Sequence, residues 1–157
     1  VRKQSGATLI EVLVSVLVLA IGLLGLASTQ MMSLKNGNGA HHRYMASLAA
    51  QEIIERMRAN PVAFNAGNYD RSGVGGTSVG SAPDCSSACQ PSQLAGYDLY
   101  EWGALLTSNL PNGTGAISSG GGTVQVTITW DEQHTGKNYG DSSADLEDAT
   151  LVISVGL

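Results

Sequence analysis

The chain has 157 residues, of which 13% are charged and 5% aromatic, with 20 glycines and a formal net charge of −5. That length allows one modest domain and an appendage, not two full domains. The acidic balance argues against nucleic acid, whose phosphates require a basic face. Charge is unevenly placed: residues 1–58 hold six Lys/Arg against three Glu, and residues 59–157 hold two against ten acids. The chain is bipartite, a very apolar segment followed by a polar, glycine-rich remainder.

The first six residues, VRKQSG, carry two cations and end in glycine. From Ala7 the chain reads ATLIEVLVSVLVLAIGLLGLAS, and Val12–Ala27 contains one polar residue, Ser15. As a helix, Val12–Ala27 is about 24 Å long, short of a hydrocarbon core of ~30 Å, whereas Ala7–Ala27 reaches about 31 Å. A membrane span therefore takes Glu11 with it, at a cost of ~2.5–3.5 kcal/mol at a helix centre and less near an end. Arg2 and Lys3 hold the N-terminus on the cytoplasmic side and leave the bulk of the chain outside. A secretory signal peptide cut near Gly25-Leu26-Ala27 or Ala27-Ser28-Thr29, or a plain single-span anchor, would also begin this way. Neither assigns a role to the carboxylate. Cleavage after Gly6 does: it exposes an ammonium at Ala7, about 6 Å along the helix from Glu11. The same amine on a neighbouring helix, shifted by about one turn, can pair with Glu11 in a low dielectric and set the register of the two helices.

The run SGATLIEVLVSVLVLAIGLLGL resembles the N-terminus of type IV pilins and type II secretion pseudopilins. The resemblance implies that residues 1–6 are a leader, that prepilin peptidase cuts between Gly6 and Ala7 and methylates Ala7, and that Glu11 and Thr8 serve subunit docking. Ala7 stands where that family usually has Phe or Met. By the same resemblance residues 7–59 form an N-terminal helix, transmembrane over about 7–28, and residues 60–157 a periplasmic head.

Beyond Ala27, Ala46, Ala49, Ala50, Ile53, Ile54 and Met57 form one apolar stripe at helical spacing, with Glu52 and Arg56 an i,i+4 pair on another side. Asn60-Pro61 ends that helix. Asn36-Gly37-Asn38-Gly39 is either a loop between two helices or a weak point in one long helix; the family pattern favours the long helix. His41 and His42, with Arg43, diverge too far on a helix to chelate one ion and read as solvated or interfacial residues. Gly22 and Gly25 are small-residue packing points or simply tolerated glycines.

Asn65–Ala82 shows no periodicity and reads as a long loop. Cys85 and Cys89, the only cysteines, read as a structural disulfide in an exported head. Pro91 or Ser92 opens a helix with Ala95, Leu99, Trp102 and Leu106 as its buried stripe, and Pro111-Asn112-Gly113 stops it. TVQVTITW over Thr123–Trp130 alternates as a half-buried antiparallel strand, with Val124, Val126, Ile128 and Trp130 inward. TLVISV over Thr150–Val155 repeats the pattern with Leu151, Ile153 and Val155 inward, and Ala116–Ser118 is a third short strand ahead of a Ser119–Gly122 turn. The fold class is α+β: a long N-terminal helix packed on a small antiparallel sheet, pilin-like.

CSSACQPSQLAGYDLYEW, LPNGTGAI and TVQVTITWDE together resemble the PilV-type minor pilins, or pilus modification proteins. That implies a non-enzymatic subunit that helps initiate a type IV pilus or sits at its tip. Its partners would be other minor pilins, the major pilin, prepilin peptidase, an inner-membrane assembly platform and a tip adhesin, with no cofactor. It would sit in the inner membrane before assembly and in the extracellular pilus afterwards. A type II secretion minor pseudopilin is the alternative; an unrelated single-span protein with a sensing or enzymatic head is another. Asp131, Glu132 and His134 cluster in sequence, but no nucleophile elbow, phosphate loop or base-orienter pattern accompanies them. Asp141, Asp145, Glu147 and Asp148 lack the spacing of a calcium loop and read as a solvated loop.

Overall fold

The computed structural model describes residues 8–76, 81–86, 88–132 and 147–157. The chain divides into two compact units, Val1–Asn38 and Gly39–Leu157. Helix α1 (Leu9–Ala59) is continuous across residues 36–39, so the long-helix reading of that run holds. The two glycines differ in surroundings. Nothing lies near Gly37, whereas the Glu132 carboxylate sits directly against Gly39, where a Cβ would collide with its Oε1. Gly39 therefore has a packing reason to be glycine, which outweighs its poor helix propensity.

In the second unit the stripe Ala46, Ala49, Ala50, Ile53, Ile54 and Met57 is buried. The small residues at positions 46, 49 and 50 let other elements approach the α1 backbone closely. The Trp102 indole nitrogen uses that approach, donating to the Ala49 carbonyl at 3.0 Å. α1 stops at Ala59, as Asn60-Pro61 predicts, but the chain then turns immediately into a second short helix, α2 (Pro61–Asn65), which periodicity did not reveal. Asn60 caps it: its side chain accepts from the Ala63 N–H at 3.4 Å and donates to the Pro91 carbonyl at 2.8 Å.

The expected loop over 65–82 is corrected: it contains a strand, β1 (Arg71–Gly75). The register shifts between Arg71 and Val74, and Gly73 and Gly75 have φ of 70° and 101°. A bulged strand has no clean alternation to read. Gly75 is also buried, and a Cβ there would lie 2.7 Å from the Gly113 carbonyl oxygen. Cys85 and Cys89 form a disulfide. Helix α3 (Pro91–Asn109) starts where proline at N1 and a Gln90/Gln93 capping box place it, with Gln93 accepting from the Gln90 N–H at 2.9 Å. Its expected stripe, Ala95, Leu99, Trp102 and Leu106, is buried.

Strands β2 (Thr114–Gly120), β3 (Thr123–Glu132) and β4 (Glu147–Gly156) complete a four-stranded antiparallel sheet in the order β1-β2-β3-β4. Gly121 and Gly122, with φ of 61° and 75°, form the two-residue turn between β2 and β3, a conformation open to successive glycines. Val124, Val126, Ile128 and Trp130 are buried as expected. Leu151, Ile153 and Val155 also face the core but are only half-buried, because β4 lies at the sheet edge. The fold is α+β: a long, apolar N-terminal helix followed by a small antiparallel sheet.

Candidate membrane and subunit-docking segment

Thr8 precedes α1, and its carbonyl accepts the N–H groups of Glu11 at 3.0 Å and Val12 at 3.3 Å, closing the first turn. Glu11 lies in that turn, where a carboxylate complements the positive end of the helix dipole. Gly6 and Ala7 lie outside the described residues. From Leu9 to Leu34, sixteen large apolar side chains are each more than half exposed, up to 79% at Leu9. At ~1.5–3 kcal/mol for each such side chain removed from water, this surface represents a driving force on the order of 20 kcal/mol. An exposed apolar area of that extent marks a lipid or protein interface. α1 is the one helix among the described residues long and apolar enough to cross a membrane.

The polar groups of the segment are handled in two ways. Ser15 donates to the Glu11 carbonyl at 2.7 Å, Ser28 to the Gly25 carbonyl at 2.8 Å and Thr29 to the Leu26 carbonyl at 2.9 Å. Those hydroxyls are satisfied within their own helix and cost little in lipid. Glu11 is different: among the described residues its carboxylate has no hydrogen-bond or ion-pair partner. Helical rotation of about 100° per residue puts Glu11, Ser15, Gly22 and Thr29 near one line along α1. Nothing lies within 4 Å of where a Cβ would stand at Gly22 or Gly25.

In the second unit, the buried carboxylates among the described residues, Asp98 and Glu132, sit in structural pairs. Arg56 reaches Glu52 at 2.7 Å, Glu101 at 2.7 Å and Asp98 at 3.0 Å. Asp98 is buried and also accepts from the Tyr69 hydroxyl at 2.6 Å. Desolvation works against the Arg56 charge, but the three carboxylates outweigh it and hold the guanidinium above its usual pKa. Burial, reinforced by Asp98, pushes the Tyr69 phenol up. The Arg56 bond holds the Glu101 carboxyl below its usual value. Of this network the sequence showed only Glu52–Arg56; Asp98 and Tyr69 were missed, although an acid on the apolar side of a helix is a readable sign.

Glu132, nearly buried, pairs with Arg43 at 3.2 Å, while Asp131 accepts from the Asn112 side chain at 2.5 Å. Asp131 and Glu132 thus serve separate elements and do not converge. His134, Asp141 and Asp145 lie outside the described residues. His41 is exposed, and its ring lies 6.2 Å from that of His42, tilted by 51°. Among the described residues no group of three or more His, Cys, Asp or Glu side chains is arranged to hold a metal.

Residues 1–27 match the family model described as the prokaryotic N-terminal methylation motif. The matched stretch contains Gly6, Ala7, Thr8 and Glu11 together with the exposed apolar turns, and it supports the pilin and pseudopilin class. No curated protein and no solved structure matches the chain.

Proposed function

We propose that this chain is a minor pilin, a non-enzymatic subunit that helps initiate a type IV pilus or sits at its tip. Prepilin peptidase removes residues 1–6 and methylates Ala7. The α1 span holds the subunit in the inner membrane with its head in the periplasm until the assembly platform draws it into the fibre. There it meets other minor pilins, the major pilin and a tip adhesin. The observation that carries this reading is Glu11: a carboxylate without a partner among the described residues, in the first turn of an exposed apolar helix and inside the matched motif. A neighbour's Ala7 ammonium supplies the missing partner, and the apolar faces of the two helices bury each other as the pair forms.

The test has two parts. Mass spectrometry of mature protein from membranes should give an N-terminus at Ala7; a chain still carrying residues 1–6 overturns the reading. Glu11→Ala should then abolish incorporation into sheared fibres while leaving the protein in the membrane, and unchanged incorporation removes the docking mechanism. Loss of surface fibres on deletion, with enzyme export intact, separates a pilin from a pseudopilin.

A further inference from the structure

The two edges of the sheet are treated differently by the sequence. At one edge, β1 is five residues long, bulged between Arg71 and Val74, and carries positive-φ glycines at 73 and 75. Short length, a bulge and a charge are the devices that stop an edge from recruiting another strand. At the other edge, β4 is ten residues long and pairs with β3 without a register shift from Thr123↔Gly156 to Glu132↔Glu147. From Ala149 to Leu157 it reads ATLVISVGL, with no charge and no proline. No described element pairs with its outer side.

The register identifies which backbone groups face outward. The Leu157 N–H donates to the Gly122 carbonyl at 3.3 Å, in step with the β3–β4 ladder. In an antiparallel pair, hydrogen-bonded and non-hydrogen-bonded positions alternate. Leu151, Ile153 and Val155 therefore bond inward to β3, and Thr150, Val152 and Ser154 point their N–H and C=O groups out of the sheet. Outward groups recur about every 6.8 Å along the edge, the spacing of a strand and of no other common ligand. The side chains flanking them suit a close neighbour: Thr150 and Ser154 are exposed and small, and Val152 is an exposed β-branched residue.

We infer that β4 is a docking edge that takes an extended strand from a different protein, extending the sheet to a fifth strand. Charge fixes part of the occupant's chemistry. Asp148 is exposed at the start of β4 and favours a Lys or Arg opposite it, while the uncharged run beyond favours uncharged β-branched residues. A second copy of this chain does not supply that pattern: its one basic strand residue among the described strands, Arg71, lies on the bulged β1 edge. This inference does not depend on the pilin reading.

Residue-resolved amide hydrogen exchange tests it. The full chain is extracted from native membranes in mild detergent with whatever it holds, and compared with the same chain purified under denaturing conditions and refolded alone. In the native material the amides of Thr150, Val152 and Ser154 should exchange at least about tenfold more slowly, while those of Leu151, Ile153 and Val155 are protected in both. Val152→Pro removes one outward N–H and no bond to β3, so it should restore fast exchange at Thr150 and Ser154. Should proline distort β4, Val152→Lys places a charge on the edge to the same end. Gln125→Lys, exposed on the sheet face but on an interior strand, should leave the protection in place. Equal exchange in the two preparations overturns the inference. So does protection that survives both Val152 variants, and so does protection of the lone chain that rises with its concentration, which would make the occupant a second copy.

Discussion

Asp98 joins three elements through one carboxylate, and its removal should destabilise the second unit by far more than a surface substitution. It is 6% exposed, accepts from the Tyr69 hydroxyl at 2.6 Å and from the Arg56 guanidinium at 3.0 Å. Hydrogen bonds involving a charged partner contribute ~1.5–3 kcal/mol each, and a buried hydroxyl left without its acceptor adds to the loss. Arg56 is about a quarter exposed and keeps Glu52 and Glu101, so its charge is not stranded and the larger penalty for an orphaned buried ion does not apply. Counting the Tyr69 bond in full and the solvent-screened Arg56 bond at no more than about 1 kcal/mol, the expected cost of Asp98→Ala is about 2–4 kcal/mol. For a unit of this size that corresponds to a fall of roughly 8–16 °C in Tm. Thermal and urea unfolding of the full chain in detergent, followed by near-UV circular dichroism of Trp102 and Trp130, measures it. Tyr69→Phe combined with Asp98→Ala should cost about 1 kcal/mol less than the two singly, because both remove the same bond. A cost of Asp98→Ala under about 0.5 kcal/mol, within the range of surface changes, or strict additivity with Tyr69→Phe, would refute the reasoning.

Four further outcomes follow from the same geometry. Because the folded Tyr69 phenol titrates above its unfolded value of 10.0, its contribution is whole below pH 10 and is lost as pH rises through the folded value; Tyr69→Phe should flatten the alkaline arm of a stability–pH curve. Gly115→Ala should cost about 1–3 kcal/mol by overpacking, since a Cβ there would overlap the Trp102 ring, and urea denaturation will read it. Gly37→Ala, in open space, should stabilise the α1 helix by roughly 0.5–1 kcal/mol, whereas Gly39→Ala should give little or nothing because Glu132 must move; a calorimetric comparison of the two decides it. Reduction of Cys85–Cys89, whose sequence separation is 4, should cost only about 2 kcal/mol on the chain-entropy model, visible as a modest Tm drop with the fold retained.

The two long helices, α1 and α3, and the two long strands were legible because their periodicities are clean. Ala46 to Met57 and Ala95 to Leu106 each follow one helical face, and TVQVTITW alternates without a break. β1 was not legible. Its bulge and left-handed glycines exist only because β2 is there to pair with, and a run such as RSGVG carries no period of its own. α2 escaped for a related reason: five residues are too few to show a helical stripe, and its stability comes from the Asn60 cap and contact with α3.

For the candidate site the balance runs the other way. The apolar run, the lone Glu11 and the glycine before Ala7 are adjacent in the chain, so the sequence by itself marked out the candidate membrane segment and the chemistry proposed for its docking; hydropathy and local spacing are one-dimensional properties. Only the tertiary structure decided which acid becomes a buried crosslink, why Gly39 cannot readily be alanine, and which sheet edge stays open among the described residues. Asp98 meets Tyr69 across 29 positions and Arg56 across 42. Contacts of that range depend on how elements pack against one another, and no local pattern of residues encodes them.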